Sequence, residues 1–195
     1  MSGREWSGLG VRLLLVAALA AVIPGLSVRH LDRIACRGSE SAVFLLEAQA
    51  VPTATQLPCF DRLPVGWTYG ESDIRSGRVR VWLDSDRAGD KAVELTLSRG
   101  CNVSGANPVE VPDGPPGVQR YDRPTASGAH DSVSFFRFAG GCVRYRFSFT
   151  KDSAPSVFQQ ADRILGFTPR RVYVSGLRQD EGLTLCGAEA PPCPG

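Results

Sequence analysis

The sequence predicts an α+β fold: an N-terminal hydrophobic anchor helix, then an antiparallel sheet of four to six strands with helices packed on one face, disulfide-stapled. Three observations carry this expectation. Several short stretches alternate apolar and polar residues with period two, as half-buried strands do. A stretch of helical period follows them, and strands followed by helices favour α+β over a parallel α/β arrangement. Six cysteines, an even set, all lie beyond the hydrophobic segment.

Residues 13–28, LLLVAALAAVIPGLSV, carry no charge and follow Arg4 and Arg12. The run is longer than the ~7–15 residues of a secretory core and just short of the ~17 that a spanning helix needs. Ala18-Leu19-Ala20 offers a cleavage site, yet Ala21, Val22 and Ile23 continue the apolar run past it. The segment therefore reads as an uncleaved single-pass anchor, with release near Ala20 as the alternative. Arg29, Arg33 and Arg37 slightly outnumber the basic residues on the amino side, which opposes an exported carboxyl side. The cysteines decide for export, because disulfides persist in oxidising compartments. The expected layout is a cytoplasmic n-region at 1–12, an anchor or signal segment at 13–28, and a juxtamembrane helix and linker at 29–52. An extracytoplasmic α+β domain at 53–187 and a Pro-rich tail at 188–195 follow.

Ser39 can cap a helix over residues 40–50 with Val43, Leu45, Leu46 and Ala50 on its apolar face; Pro52 and Pro58 stop it. Residues 63–67 turn into a strand. Val79, Val81 and Leu83 alternate with Arg78, Arg80 and Trp82, and Val93, Leu95 and Leu97 alternate with Glu94 and Thr96. The polar loop 84–90 makes these two strands a hairpin. Residues 102–117, rich in Pro, Gly and Asn, read as a surface loop, and 118–121 as a short strand. Residues 132–138 and 143–149 flank Ala139-Gly140-Gly141-Cys142 as the strongest hairpin, with Val143, Tyr145, Phe147 and Phe149 inward and Arg144 and Arg146 outward. Ser153 and Pro155 open a helix whose stripe is Val157, Phe158, Ala161, Ile164 and Leu165. Gly166 ends it; Thr168-Pro169 is suited to open a second helix over 170–178, although Val172, Tyr173 and Val174 favour a strand there.

Cys101 and Cys142 follow glycines at two strand ends, so they are paired; Cys36 with Cys59 and Cys186 with Cys193 are the local remainder. No C-x-x-C is present and the chain has only two His, so no metal is assigned. A calcium loop opening at Asp84 fails at Ala88 and at Leu95, where a bidentate Glu is needed. Serine-hydrolase, P-loop and dinucleotide motifs are missing, no cofactor is assigned, and His130 is the lone catalytic candidate. Arg78, Arg80, Arg144 and Arg146, joined by Arg137, face outward on strands that, if neighbours, give an arginine stripe suited to phosphate or carboxylate. A net charge of +2 gives no field for nucleic acid.

The strings Leu57-Pro58-Cys59, Leu63-Pro64-Val65-Gly66-Trp67, residues 82–89 (WLDSDRAG), Gly140-Gly141-Cys142-Val143 and Leu185-Cys186-Gly187 are distinctive together. By them the chain resembles a group of membrane-anchored or secreted proteins of high-GC Gram-positive actinobacteria. That resemblance implies an envelope location and no catalytic residues. The expected function is a non-catalytic extracytoplasmic domain with a binding or assembly role at the cell envelope. The alternatives are a small envelope hydrolase using His130 and a binder of anionic lipid or wall polymer through the arginine stripe. Expected partners are the membrane, through residues 13–28, and envelope proteins or an anionic envelope polymer.

Overall fold

The structure, a computed structural model, describes residues 42–60, 62–112, 114–123, 131–149, 155–188 and 190–193. The hydrophobic segment 13–28, Cys36 and His130 lie outside the described residues. Within them, no helix is long and apolar enough to cross a membrane.

Helix α1 (Ala42–Ala50) comes first, followed by β1 (Gln56–Phe60), β2 (Trp67–Arg75), β3 (Arg78–Ser85) and β4 (Gly89–Ser98). Then come β5 (Asn107–Val109), β6 (Gln119–Arg123), β7 (Val133–Phe138), β8 (Gly141–Phe147), α2 (Pro155–Ile164), β9 (Leu165–Pro169) and α3 (Arg170–Asp180). Seven strands form one sheet in the order β2-β3-β4-β8-β7-β6-β5, and β1 pairs with β9 in a second, two-stranded sheet. All pairs are antiparallel. The main sheet is therefore larger than the expected four to six strands. β5 forms inside the expected surface loop, and β1 and β9 occupy stretches whose prolines and Gly166 hid their pairing.

Two meanders build the main sheet. Chain β2-β3-β4 turns through Ser76-Gly77 and residues 86–88, and β6-β7-β8 returns to lay β8 beside β4, from Val93 opposite Phe147 to Ser98 opposite Cys142. The segment that leaves β4 for β5 at the far edge is tied back at once, because Cys101 bonds Cys142 with their Cα atoms 5.8 Å apart. Alternation puts Val79, Val81, Leu83, Val93, Leu95, Leu97, Val143, Tyr145 and Phe147 on one face, where they pack with Val157, Ala161 and Ile164 of α2. Each such side chain contributes about 1.5–3 kcal/mol by leaving water. The buried Tyr145 hydroxyl donates to the Ala161 carbonyl at 2.7 Å, satisfying an acceptor that the end of α2 leaves unpaired.

A second cluster joins Phe44 and Ala48 of α1 to Leu57, Tyr173, Val174, Leu177 and Leu185. Half of the expected face turns inward: Leu45 packs against this cluster and Ala50 is buried in the larger core. Val43 and Leu46 point outward at 41% and 47% exposure, while Glu47 is buried. Residues 51–55 thread between the clusters. Thr53 and Thr55 hydroxyls donate to the carbonyls of Gly140 and Ala139 at 2.7 and 2.8 Å, docking the β7–β8 turn. Gly140 has φ +69°, and a Cβ there would collide with the Thr53 carbonyl oxygen, so the turn requires glycine.

Glu47 sets a pH dependence. Burial pushes its carboxyl up to about 8, its Oε2 has no hydrogen-bond partner among the described residues, and its charge would act on Tyr69 and Tyr173. The folded state thus holds a proton that the unfolded chain releases above about pH 4.5. This stabilisation is complete below that pH and is lost as pH rises through about 8. Glu47→Gln is expected to remove a fall on the order of 3 kcal/mol between pH 5 and 8. Urea unfolding of both proteins at the two pH values checks it, and equal slopes with pH would refute it.

Candidate functional site

The face of the main sheet opposite the apolar core carries the arginines. The register sets them in rows across the strands. One row runs Arg75, Arg78, Ser98, Cys142, Arg137 and Gln119; the next runs Asp73, Arg80, Thr96, Arg144, Phe135 and Tyr121. A third holds Trp82, Glu94, Arg146, Val133 and Arg123. β3 and β8 are not direct neighbours, because β4 lies between them. Arg80 and Arg144 therefore stand about 10 Å apart, two strand spacings, on either side of Thr96. Thr96 and Ser98 of β4 stand between them, Thr96 buried and the Ser98 hydroxyl donating to the Gly100 carbonyl at 2.9 Å.

The first two rows hold five arginines and one carboxylate, Asp73. Asp73 meets Arg80 at 2.6 Å and Arg75 at 2.8 Å, with Arg78 at 3.9 Å. Hydrogen bonds from Arg80 first, and then Arg75, hold its carboxyl below the ordinary range. Arg144 reaches Glu94 at 3.6 Å, and the Thr96 hydroxyl donates to the same Glu94 oxygen at 3.0 Å. Among the described residues no acid pairs with Arg137. Arg146 belongs to the other end of the face, beside Asp131 at 3.4 Å. That end is acidic: Glu71, Asp84, Asp86 and Asp90 gather around the β3–β4 turn. There Trp82 lies between Arg80 and Lys91, at 5.2 and 5.3 Å. The face is thus polarised along the strands, basic where β4 ends and acidic where it begins.

The β6–β7 half is closed over. Arg123 lies 4.8 Å from the Phe135 ring and donates to the carbonyls of Asn102 and Ser104 at 3.0 and 2.8 Å. The segment after Cys101 thereby bounds the open face on one side. Arg120, on the core side of β6, pairs with Asp162 of α2 and with Asp122 at 2.9 and 2.8 Å, a structural tie. The acidic loop spends its acceptors on its own turn. Asp84 accepts the Lys91 backbone N–H at 2.7 Å and the Ser85 hydroxyl accepts from Arg87 and Ala88. Among the described residues no group of three His, Cys, Asp or Glu side chains could hold a metal ion.

Of the sequence candidates, Arg78, Arg80 and Arg144 come together with Arg137, and Arg146 stands apart beside the acids. Cys101–Cys142 and Cys186–Cys193 are bonded, and Cys59 is disulfide-bonded as well. His130 and Cys36 lie outside the described residues. Asp73 went unnoticed in the sequence because a bulge between Tyr69 and Ser72 breaks the alternation of β2; its acidic position between Ser72 and Ile74 was the available signal. No known protein family matches the chain, and neither the curated proteins nor the solved structures compared with it give a match.

The Cys101–Cys142 disulfide closes a 41-residue separation, worth about 4 kcal/mol in the chain-entropy model. Replacing both cysteines by Ala is expected to lower stability by roughly that amount and to raise hydrogen exchange at Asn102–Ser104 before β3 and β4. Unchanged stability on reduction and replacement would contradict it.

Proposed function

We propose that this chain is a non-catalytic extracytoplasmic domain, anchored through residues 13–28, that works by binding or assembly at a bacterial cell envelope of the actinobacterial kind it resembles. The cysteines carry this reading. Every cysteine among the described residues is in a disulfide, a state suited to an oxidising compartment. The non-catalytic part draws support from how buried polar groups are used. Tyr145 serves Ala161, Arg120 serves Asp162, and Arg170 serves the carbonyls of Ala48 and Cys186. Each closes a contact between elements of the fold.

A second reading, binding of anionic groups through the arginine face, is favoured by the two rows in which five arginines face two carboxylates, Asp73 and Glu94.

Intact mass of the native protein after thiol alkylation tests the first reading. Full-length mass with no label before reduction, and six labels after it, is the expected result for the six cysteines. A mass trimmed near Ala20 would replace the anchor by secretion and keep the extracytoplasmic assignment. Labelling of Cys101 or Cys142 without reductant would overturn that assignment.

A further inference from the structure

We infer that the basic end of the open sheet face is a groove for a linear polysaccharide bearing carboxylate or phosphate groups, its floor Thr96 and Ser98 and its walls Arg78, Arg80 and Arg144. This deepens the anion-binding reading and rests on it. The register makes the groove. Arg80 and Arg144 share a row with Thr96 between them, and Arg78 stands beside Ser98 in the next row. Arg80 bonds Asp73 at 2.6 Å and Arg144 reaches Glu94 at 3.6 Å, so an entering oxyanion would share or take over guanidiniums that stand about 10 Å apart at the backbone, each with the planar fork that carboxylate and phosphate accept.

Charge complementarity selects an anion for this end. Its own carboxylates are already engaged, Asp73 by three arginines and Glu94 by Arg144 and Thr96. A polymer fits better than a bilayer. Among the described residues the exposed large apolar side chains are Val43, Leu46, Val65, Tyr69, Val109, Val111, Val172 and Leu183. None is an outward residue of β3, β4 or β8, so the groove has nothing to insert among acyl chains. The Thr96 and Ser98 hydroxyls donate to Glu94 and to the Gly100 carbonyl, which leaves their lone pairs as acceptors for an extended hydroxyl-rich chain that carries a charge at intervals.

Calorimetric titration of the full-length oxidised protein tests the assignment, with polygalacturonate as the anionic chain, dextran as the neutral one and phosphatidylglycerol vesicles as the lipid arm. Polygalacturonate is expected to bind, with affinity falling as salt rises, and dextran is expected not to. Arg80→Ser with Arg144→Ser should weaken binding by roughly tenfold or more, and Arg146→Ser by less than about twofold. Asp73→Asn, which frees three arginines, should tighten it, so the site stays testable if the double variant folds poorly. No polygalacturonate binding at low salt, equal losses in Arg146→Ser and the double variant, or binding of vesicles alone would each overturn the groove. Such a failure in a protein without reactive thiols removes the groove and leaves the extracytoplasmic assignment standing; reactive thiols would remove that assignment instead.

Discussion

Arg170 is wholly enclosed, and the remainder of the fold closes around it. Its guanidinium donates to the carbonyls of Ala48 and Cys186, both at 2.7 Å, and its backbone N–H to the Thr55 carbonyl at 2.9 Å. An arginine taken out of water costs several kcal/mol unless its donors are met. Burial accordingly pulls its pKa down. Two carbonyl acceptors offset part of that cost, Nε having no partner among the described residues, and one of them belongs to the last turn of α1, which lacks an internal partner and carries the negative end of the helix dipole. One residue thus fixes the end of the first helix and the start of the Cys186–Cys193 loop through its side chain, and the entry to β1 through its backbone. The same 51–55 segment holds the β7–β8 turn through Thr53 and Thr55. The small cluster under α1 and α3 and the large core under α2 are joined by this crossing.

The second constraint is covalent. A chain that leaves β4 in the middle of the sheet and starts again at its far edge must bring distant residues together, which costs loop entropy before any strand pairing repays it. Cys101–Cys142 pins the departure point against β8, directly beside Ser98. It also fixes the segment that covers β6 and β7, so the open part of the arginine face ends at a defined border. Stability and the shape of the surface come from the same bond.

The parts legible in the sequence were those where one face is buried and one is wet. β3, β4, β7 and β8 showed themselves by alternation, because a one-residue slip would turn Val79, Val93 or Val143 into water. The α2 stripe and the outward placement of the four arginines followed from the same periodicity. The rest depended on long-range pairing that no local pattern encodes. Nothing near Arg80 or Arg144 says that β4 would separate their strands, and this order makes the groove and leaves Arg146 outside it. α1 misled because its apolar residues surround it, so the buried side was set by Phe44 meeting Tyr173 at 4.7 Å, with Glu47 carried inward. β1 and β9 escaped notice because Pro58, Gly166 and Pro169 disfavour strands, and only their mutual pairing makes them one.

Strand order sets Arg78, Arg80 and Arg144 around Thr96 and Ser98, where together with Arg75 and Arg137 they outnumber the two carboxylates they face, Asp73 and Glu94. The most direct test is a backbone-amide NMR titration with oligogalacturonate. Shifts are expected to centre on Arg78, Arg80, Thr96, Ser98 and Arg144 and to fade toward Trp82, Lys91 and Arg146. Shifts centred on the Trp82–Arg146 end, or on α1, would contradict it.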